Sequence, residues 1–181
     1  MNGRLWLVLL LLLLLAGGTV IAVRALTDSE ESKRQKLMPD ARDKLDQLRA
    51  ACAGAGIETR LGETLRSSSQ QAANVAAGLS SPTTLGKGWH TVGRAWHLYA
   101  IVDGEADTKA EREDLILAMH KLAVGLGIRT IAYDPETWAK KMTHTSKGAV
   151  WDANHFEYHG SPALSWEAAA DQYVRLQEAQ A

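Results

Sequence analysis

Residues 5–23 carry no charged side chain, and leucine fills every position from Leu9 to Leu15. Inside a bilayer the backbone finds no water to bond, so a run of this kind can only be a helix there. At ~1.5 Å per residue it just spans a hydrocarbon core of ~30 Å. Arg4 and Arg24 bracket the run. Gly17 and Gly18 interrupt it, and Val23-Arg24-Ala25 has the spacing of a weak cleavage site. A cleaved export signal is therefore the rival reading, and the length of the run favours an uncleaved anchor. The expected organisation is an N-terminal transmembrane anchor or signal over residues 1–24, a linker over 25–38 and one domain over 39–181. Arg24, Lys33, Arg34 and Lys36 follow the run, while Arg4 alone precedes it. Taken by itself, that bias favours a cytoplasmic domain.

The rest of the chain reads as a mixed α+β domain. Residues 26–38 are polar and mixed in charge, as in a linker or a frayed stalk. Pro39 opens a helical pattern in which Ala41, Leu45, Leu48 and Cys52 share a face, and Gly54 and Gly56 end it. Residues 57–61 alternate like a strand, 67–77 suit a helix, and 78–88 are a loop rich in Ser, Pro, Thr and Gly. Residues 95–102 are aromatic and β-branched, a good strand. A helix is expected over 108–124, a short strand over 128–133, a short helix over 135–141 and an extended stretch over 150–158. Residues 165–179 close the chain as an amphipathic helix capped by Ser165. Helices and strands mix without a regular βαβ rhythm, which gives the class. The net charge of −1 offers no field to attract nucleic acid. Cys52 is the lone cysteine, so no disulfide can form within the chain, and its helical position suits a buried apolar side chain.

The histidines carry the chemistry. His90 and His97 lie in one stretch, Trp89-His90-Thr91-Val92-Gly93-Arg94-Ala95-Trp96-His97, and His155 lies in another, Trp151-Asp152-Ala153-Asn154-His155. Three neutral imidazoles meeting at one point suit zinc. A catalytic zinc also needs a carboxylate nearby to take a proton, and Asp152 precedes His155 by three residues. The helical His-Glu-x-x-His pair is absent. On spacing alone, surface or core roles for these histidines remain open. Trp89 and Trp151 suit either a cleft wall or core packing.

The pattern His90-x-x-Gly93-x-Ala95-x-His97, followed by Asp152-x-x-His155-Phe156-Glu157, resembles the zinc D-alanyl-D-alanine carboxypeptidase and L-alanyl-D-glutamate endopeptidase family. That family includes vancomycin-resistance dipeptidases and phage endolysins. Arg66, followed by Gln70 and Gln71, resembles its strand-to-helix segment. The likeness covers residues 39–159. It implies a small, mainly antiparallel sheet that carries a zinc site, with helices packed around it. It implies zinc held by His90, His97 and His155, with His97 standing where the family has aspartate. His97 as a non-ligand is the alternative, and Asp103 a distant substitute. Asp152 takes the general-base role and Arg66 the role of binding substrate or oxyanion. Glu157 suits either an outer partner that orients a ligand imidazole or a surface carboxylate. His159 and His144 suit the surface better than the cleft, and His120 has no assigned role.

The implied activity is hydrolysis of an amide in the peptidoglycan stem peptide. Such a substrate places the domain on the periplasmic or extracellular side, against the charge bias. The implied enzyme is a wall peptidase, as in phage lysis. The alternatives are a D,D-carboxypeptidase of wall remodelling and a wall-binding module that has lost its metal.

Overall fold

Pro39 starts helix α1, Pro39–Gly54, and the face set by the heptad-like spacing is its buried one: Ala41, Leu45, Leu48 and Cys52. The computed structural model describes residues 30–81 and 87–180. The chain divides after Ser32, and the unit that follows, Lys33–Ala181, is compact. The proposed anchor over residues 5–23 lies outside the described residues. Among the described residues, no helix is long and apolar enough to cross a membrane. The second unit begins at Lys33, ahead of the expected boundary at Pro39. Leu37 and Met38, expected in the linker, are buried in the core. Both are apolar, and the Met38 amide bonds the Gly93 carbonyl at 2.9 Å, so the chain is fixed before α1 begins.

Strand β1, Thr59–Leu61, follows, then helix α2, Ser68–Ala76, whose cap Ser67 accepts from the Gln70 amide. Trp89–Val92 is a single 3-10 turn. Strand β2, Ala95–Val102, is the longest in the sheet, and β3, Glu105–Ala106, folds back on its end. Helix α3 is Glu113–Gly125, and β4 is Arg129–Thr130. Strands β5, Thr143–Thr145, and β6, Gly148–Val150, form a separate hairpin. Strand β7 is His155–Glu157, and helix α4 is Trp166–Gln180. The main sheet runs β1-β2-β7-β4, with every pairing antiparallel. The α+β class and the small antiparallel sheet are therefore as expected.

Alternation along β2 and β7 separates two faces. Trp96, Leu98, Ala100 and Phe156 are fully buried and meet α1, with Met119 and Ala123 of α3, in one core. Each such large apolar side chain contributes roughly 1.5–3 kcal/mol on burial. His97, Tyr99, His155 and Glu157 belong to the opposite face. Arg94, just before β2, is buried and ties Asp40 of α1 to Gln172 of α4, each at 2.9 Å.

Several local expectations need correction. α3 starts at Glu113, not 108, because the Asp107 carboxylate accepts the Glu111 and Arg112 amides and holds a loop there. Residues 135–141 are not helical. Asp134 Oδ1 instead bonds the amides of Glu136 and Thr137, an Asx-type turn that competes with helix. The strand expected over 128–133 shortens to Arg129–Thr130. The extended stretch over 150–158 is broken between Val150 and His155 by the loop that carries Asp152.

That loop rests on His120. The ring is fully buried and stacks on Phe156 at 4.4 Å, and its Nε2 donates to the Ala153 carbonyl at 2.7 Å. Burial pushes the His120 pKa down to about 4; the Ala153 bond and Asp152 oppose this, while His155 adds to it. The unfolded value is about 6.5. The stability gained by keeping this ring neutral is complete above about pH 6.5 and is lost as pH falls towards about 4, up to about 3 kcal/mol. Unfolding free energies measured at about pH 7 and about pH 4.5 are expected to differ less in His120→Leu than in the natural chain. Equal differences in the two proteins refute this.

Candidate metal centre

The register of the sheet brings the ligands together. His97 of β2 lies directly opposite His155 of β7, so both project from one face. His90 comes from the 3-10 turn before β2. That turn ends at Gly93 with φ of +63°, a conformation that favours glycine. A Cβ at Gly93 would stand 2.8 Å from the Lys36 carbonyl oxygen, so a side chain is excluded for space as well. Residues 62–66 bind both ligand-bearing elements to each other. The His97 amide donates to the Glu63 carbonyl and the Arg66 amide to the His90 carbonyl.

His90, His97 and His155 each offer one ring nitrogen, these three atoms lie within 4.8 Å of one another, and they could hold a metal ion. Their hydrogen bonds choose which nitrogen faces inward. His90 Nδ1 donates to the Thr64 carbonyl at 2.9 Å, which leaves Nε2 buried without a partner. His155 Nε2 donates to Glu157 Oε1 at 3.0 Å, which leaves Nδ1 for the centre. Two nitrogens bound to zinc tetrahedrally at ~2.0–2.1 Å stand ~3.4 Å apart. His155 Nδ1 and His97 Nε2 are 3.4 Å apart. A buried imidazole nitrogen with a lone pair and no donor costs free energy unless something fills the space it faces. The donor set therefore fits zinc.

Charge states agree with ligation by His90 and His97. Burial, reinforced by the neighbouring imidazoles, holds the His90 pKa well below the usual range, and the same causes lower His97 to about 4. Both are neutral at pH 7. Burial would also lower His155, but Glu157 and Asp152 overcome it and raise the pKa. Glu157 is itself buried, and its two imidazole partners hold its carboxyl far below the carboxylate range against the cost of burial.

Asp152 lies beside the triad, not within it. Its oxygens stand 3.8 Å from His97 Nε2 and 3.6 Å from His155 Nδ1. Arg66 is buried at the cleft wall, where Nε donates to Glu63 Oε1 at 3.1 Å, Nη2 pairs with the other Glu63 oxygen, and Nη1 donates to Gln71 Oε1 at 2.6 Å. The cleft measures about 180 Å³, and Arg66, Asp152 and Glu157 line it together with the three histidines. Trp151 lines it too, fixed by a bond from Nε1 to the Ala132 carbonyl. Trp89 stacks on His159 at 3.7 Å, and His159 in turn donates to Glu157 Oε2 at 2.8 Å. His159 thus acts as a second partner of Glu157 and not as a surface residue. Asp103 is exposed in the turn after β2, with φ of 52°, and does not join the triad. His144 is exposed on β5.

Sequence reasoning overlooked two contributors: Glu63 grips Arg66, and His120 supports the Asp152 loop. The stretch around His144, expected at the surface, borders the cleft through Thr143 and Thr145, as does Val150 of β6. Only Glu63, three residues before Arg66, left a local signal.

The fold and the centre define a small α+β domain with a histidine triad on its sheet, able to hold a metal. No model of a known protein family matches the chain, and no curated protein sequence matches it. Among solved structures, the chain shares the fold of the L-Ala D-Glu endopeptidase ChiX of Serratia marcescens. The TM-score is 0.51 at 19% identity, over 78% of this chain and 90% of that one. A variant of the vancomycin resistance D,D-pentapeptidase VanY, from a VanB-type resistance cassette and in complex with Zn(II), aligns with a TM-score of 0.48 at 14% identity. That alignment covers 76% of this chain and 78% of the other. The endopeptidase ChiX is of the kind that the His90–His97 and Asp152–Glu157 signatures resemble.

Proposed function

We propose that the chain is a zinc peptidase that hydrolyses an amide bond in the stem peptide of peptidoglycan. The observation that carries this reading is the histidine triad with the Asp152 carboxylate set against two of its nitrogens. His90, His97 and His155 would hold the ion. Bound zinc supplies Lewis-acid polarisation of the carbonyl and acidifies the attacking water. Asp152 takes a proton from that water and returns it to the leaving amine. Arg66, held by Glu63 and Gln71, stabilises charge developing on the carbonyl oxygen. Glu157 fixes the His155 tautomer, so that Nδ1 keeps its lone pair for the metal. In this reading residues 5–23 anchor the protein in the membrane, and the domain works on the periplasmic or extracellular side, where the wall lies. Phage lysis or remodelling of the bacterial wall is the setting such an enzyme fits.

Full-length protein loaded with zinc is expected to release stem-peptide fragments from purified peptidoglycan, identified by mass. Chelation should stop the release, and added zinc should restore it. Wall binding without fragments, or digestion indifferent to chelation, overturns the proposal.

A further inference from the structure

Glu63 is not needed to hold a metal, yet it occupies the most useful edge of Arg66. Its two oxygens meet Nε and Nη2, the side-on fork that best grips a carboxylate. On the other edge, Nη1 already gives to Gln71 at 2.6 Å and reaches Ser80 Oγ at 3.5 Å. Arg66 is the one guanidinium among the described residues lining this cleft. A peptide ending in a free carboxylate would have to displace Glu63, and a half-buried carboxylate would then lose its partner. Such a peptide exchanges one carboxylate–guanidinium pair for another and leaves the Glu63 charge without its partner.

The shape of the cleft carries the argument further. A second groove, lined by Tyr99, Lys109 and Asn154, shares His97, Trp151 and Asp152 with the first. His97 and Asp152 thus border both grooves, while His90 and His155 line the first alone.

We propose that Glu63 masks Arg66 from a terminal carboxylate and so reserves the centre for an internal bond of an extended peptide. The inference rests on the peptidase reading above. In the reaction, the C–N bond breaks, the water oxygen joins the acyl carbon, and a water proton leaves on the amine.

The probe is the stem peptide L-Ala-γ-D-Glu-L-Lys-D-Ala-D-Ala, prepared as the free acid and as the C-terminal amide. Both are offered to the zinc-loaded full-length chain, with fragments read by mass. The two forms are expected to share one internal cleavage site, with kcat/KM values within about threefold of each other. Glu63→Gln keeps an acceptor but removes the charge, and it should raise the acid-to-amide ratio about tenfold or more. The proposal is overturned if the natural chain prefers the acid about tenfold and releases only terminal D-alanine. It is equally overturned if zinc-loaded Glu63→Gln leaves the ratio unmoved. Should that variant fail to bind zinc, the ratio in the natural chain decides alone. If the natural chain loaded with zinc neither binds nor cuts either form, the peptidase reading falls and takes this one with it. Cleavage of both forms with a strong acid preference sinks only the masking role.

Discussion

Asp152→Asn is expected to keep the metal and lose the reaction. The side chain is nearly isosteric, so the loop between β6 and β7 should hold its shape, supported from beneath by His120. The change removes the basic oxygen and nothing else of comparable size. Positioned proton transfer contributes about 10²–10⁴-fold to rate, and a loss in that range is expected in kcat. Zinc content should not change, because Asp152 stands beside the ligand group and the three imidazoles meet without it. The measurement pairs kcat on a stem peptide with elemental analysis of the same sample. A loss of zinc in step with activity would make Asp152 a ligand. An unchanged kcat would remove it from the chemistry.

How much of this centre could be read from the sequence depends on the range of the interaction. His97 lies between apolar Trp96 and Leu98, and apolar Phe156 between His155 and Glu157, so two faces were legible. The antiparallel register that sets His97 opposite His155 was not, because no local residue encodes which strand pairs with which. Gly93 leaves its mark in the signature because a side chain there fits neither the φ nor the space. His120 carried no signal at all. Its partner is a backbone carbonyl, which looks the same in every residue, and Ala153 is distant in sequence. The β5–β6 hairpin was hidden for another reason. Residues 143–150 are largely exposed and polar, so no burial pattern marks them as strands. The errors at 108–112 and 135–141 share one cause. In both places an aspartate side chain bonds nearby amides and offers the backbone an alternative to helix, which apolar periodicity does not register.

His90→Ala is expected to abolish zinc binding and, with it, all hydrolysis. His90 is the ligand least able to be replaced. It is 3% exposed, so water has little access to take its place. Its Nδ1 is tied to the Thr64 carbonyl, which holds the ring at the centre with Nε2 facing inward. Losing an outer partner of a metal ligand costs roughly 10–100-fold in affinity, and removing the ligand itself should exceed that range. The effect on stability separates metal binding from packing. Without metal, the unpaired Nε2 costs the folded protein on the order of 1–3 kcal/mol. Alanine removes that burden while leaving a cavity, so the metal-free variant should unfold near the natural chain. With zinc, only the natural chain should gain, because an ion bound to the folded state alone raises its Tm. Thermal unfolding of both proteins, with and without added zinc, tests this directly. A zinc-dependent rise of equal size in His90→Ala would show that His97, His155 and another donor hold the ion, and the triad would then be the wrong centre.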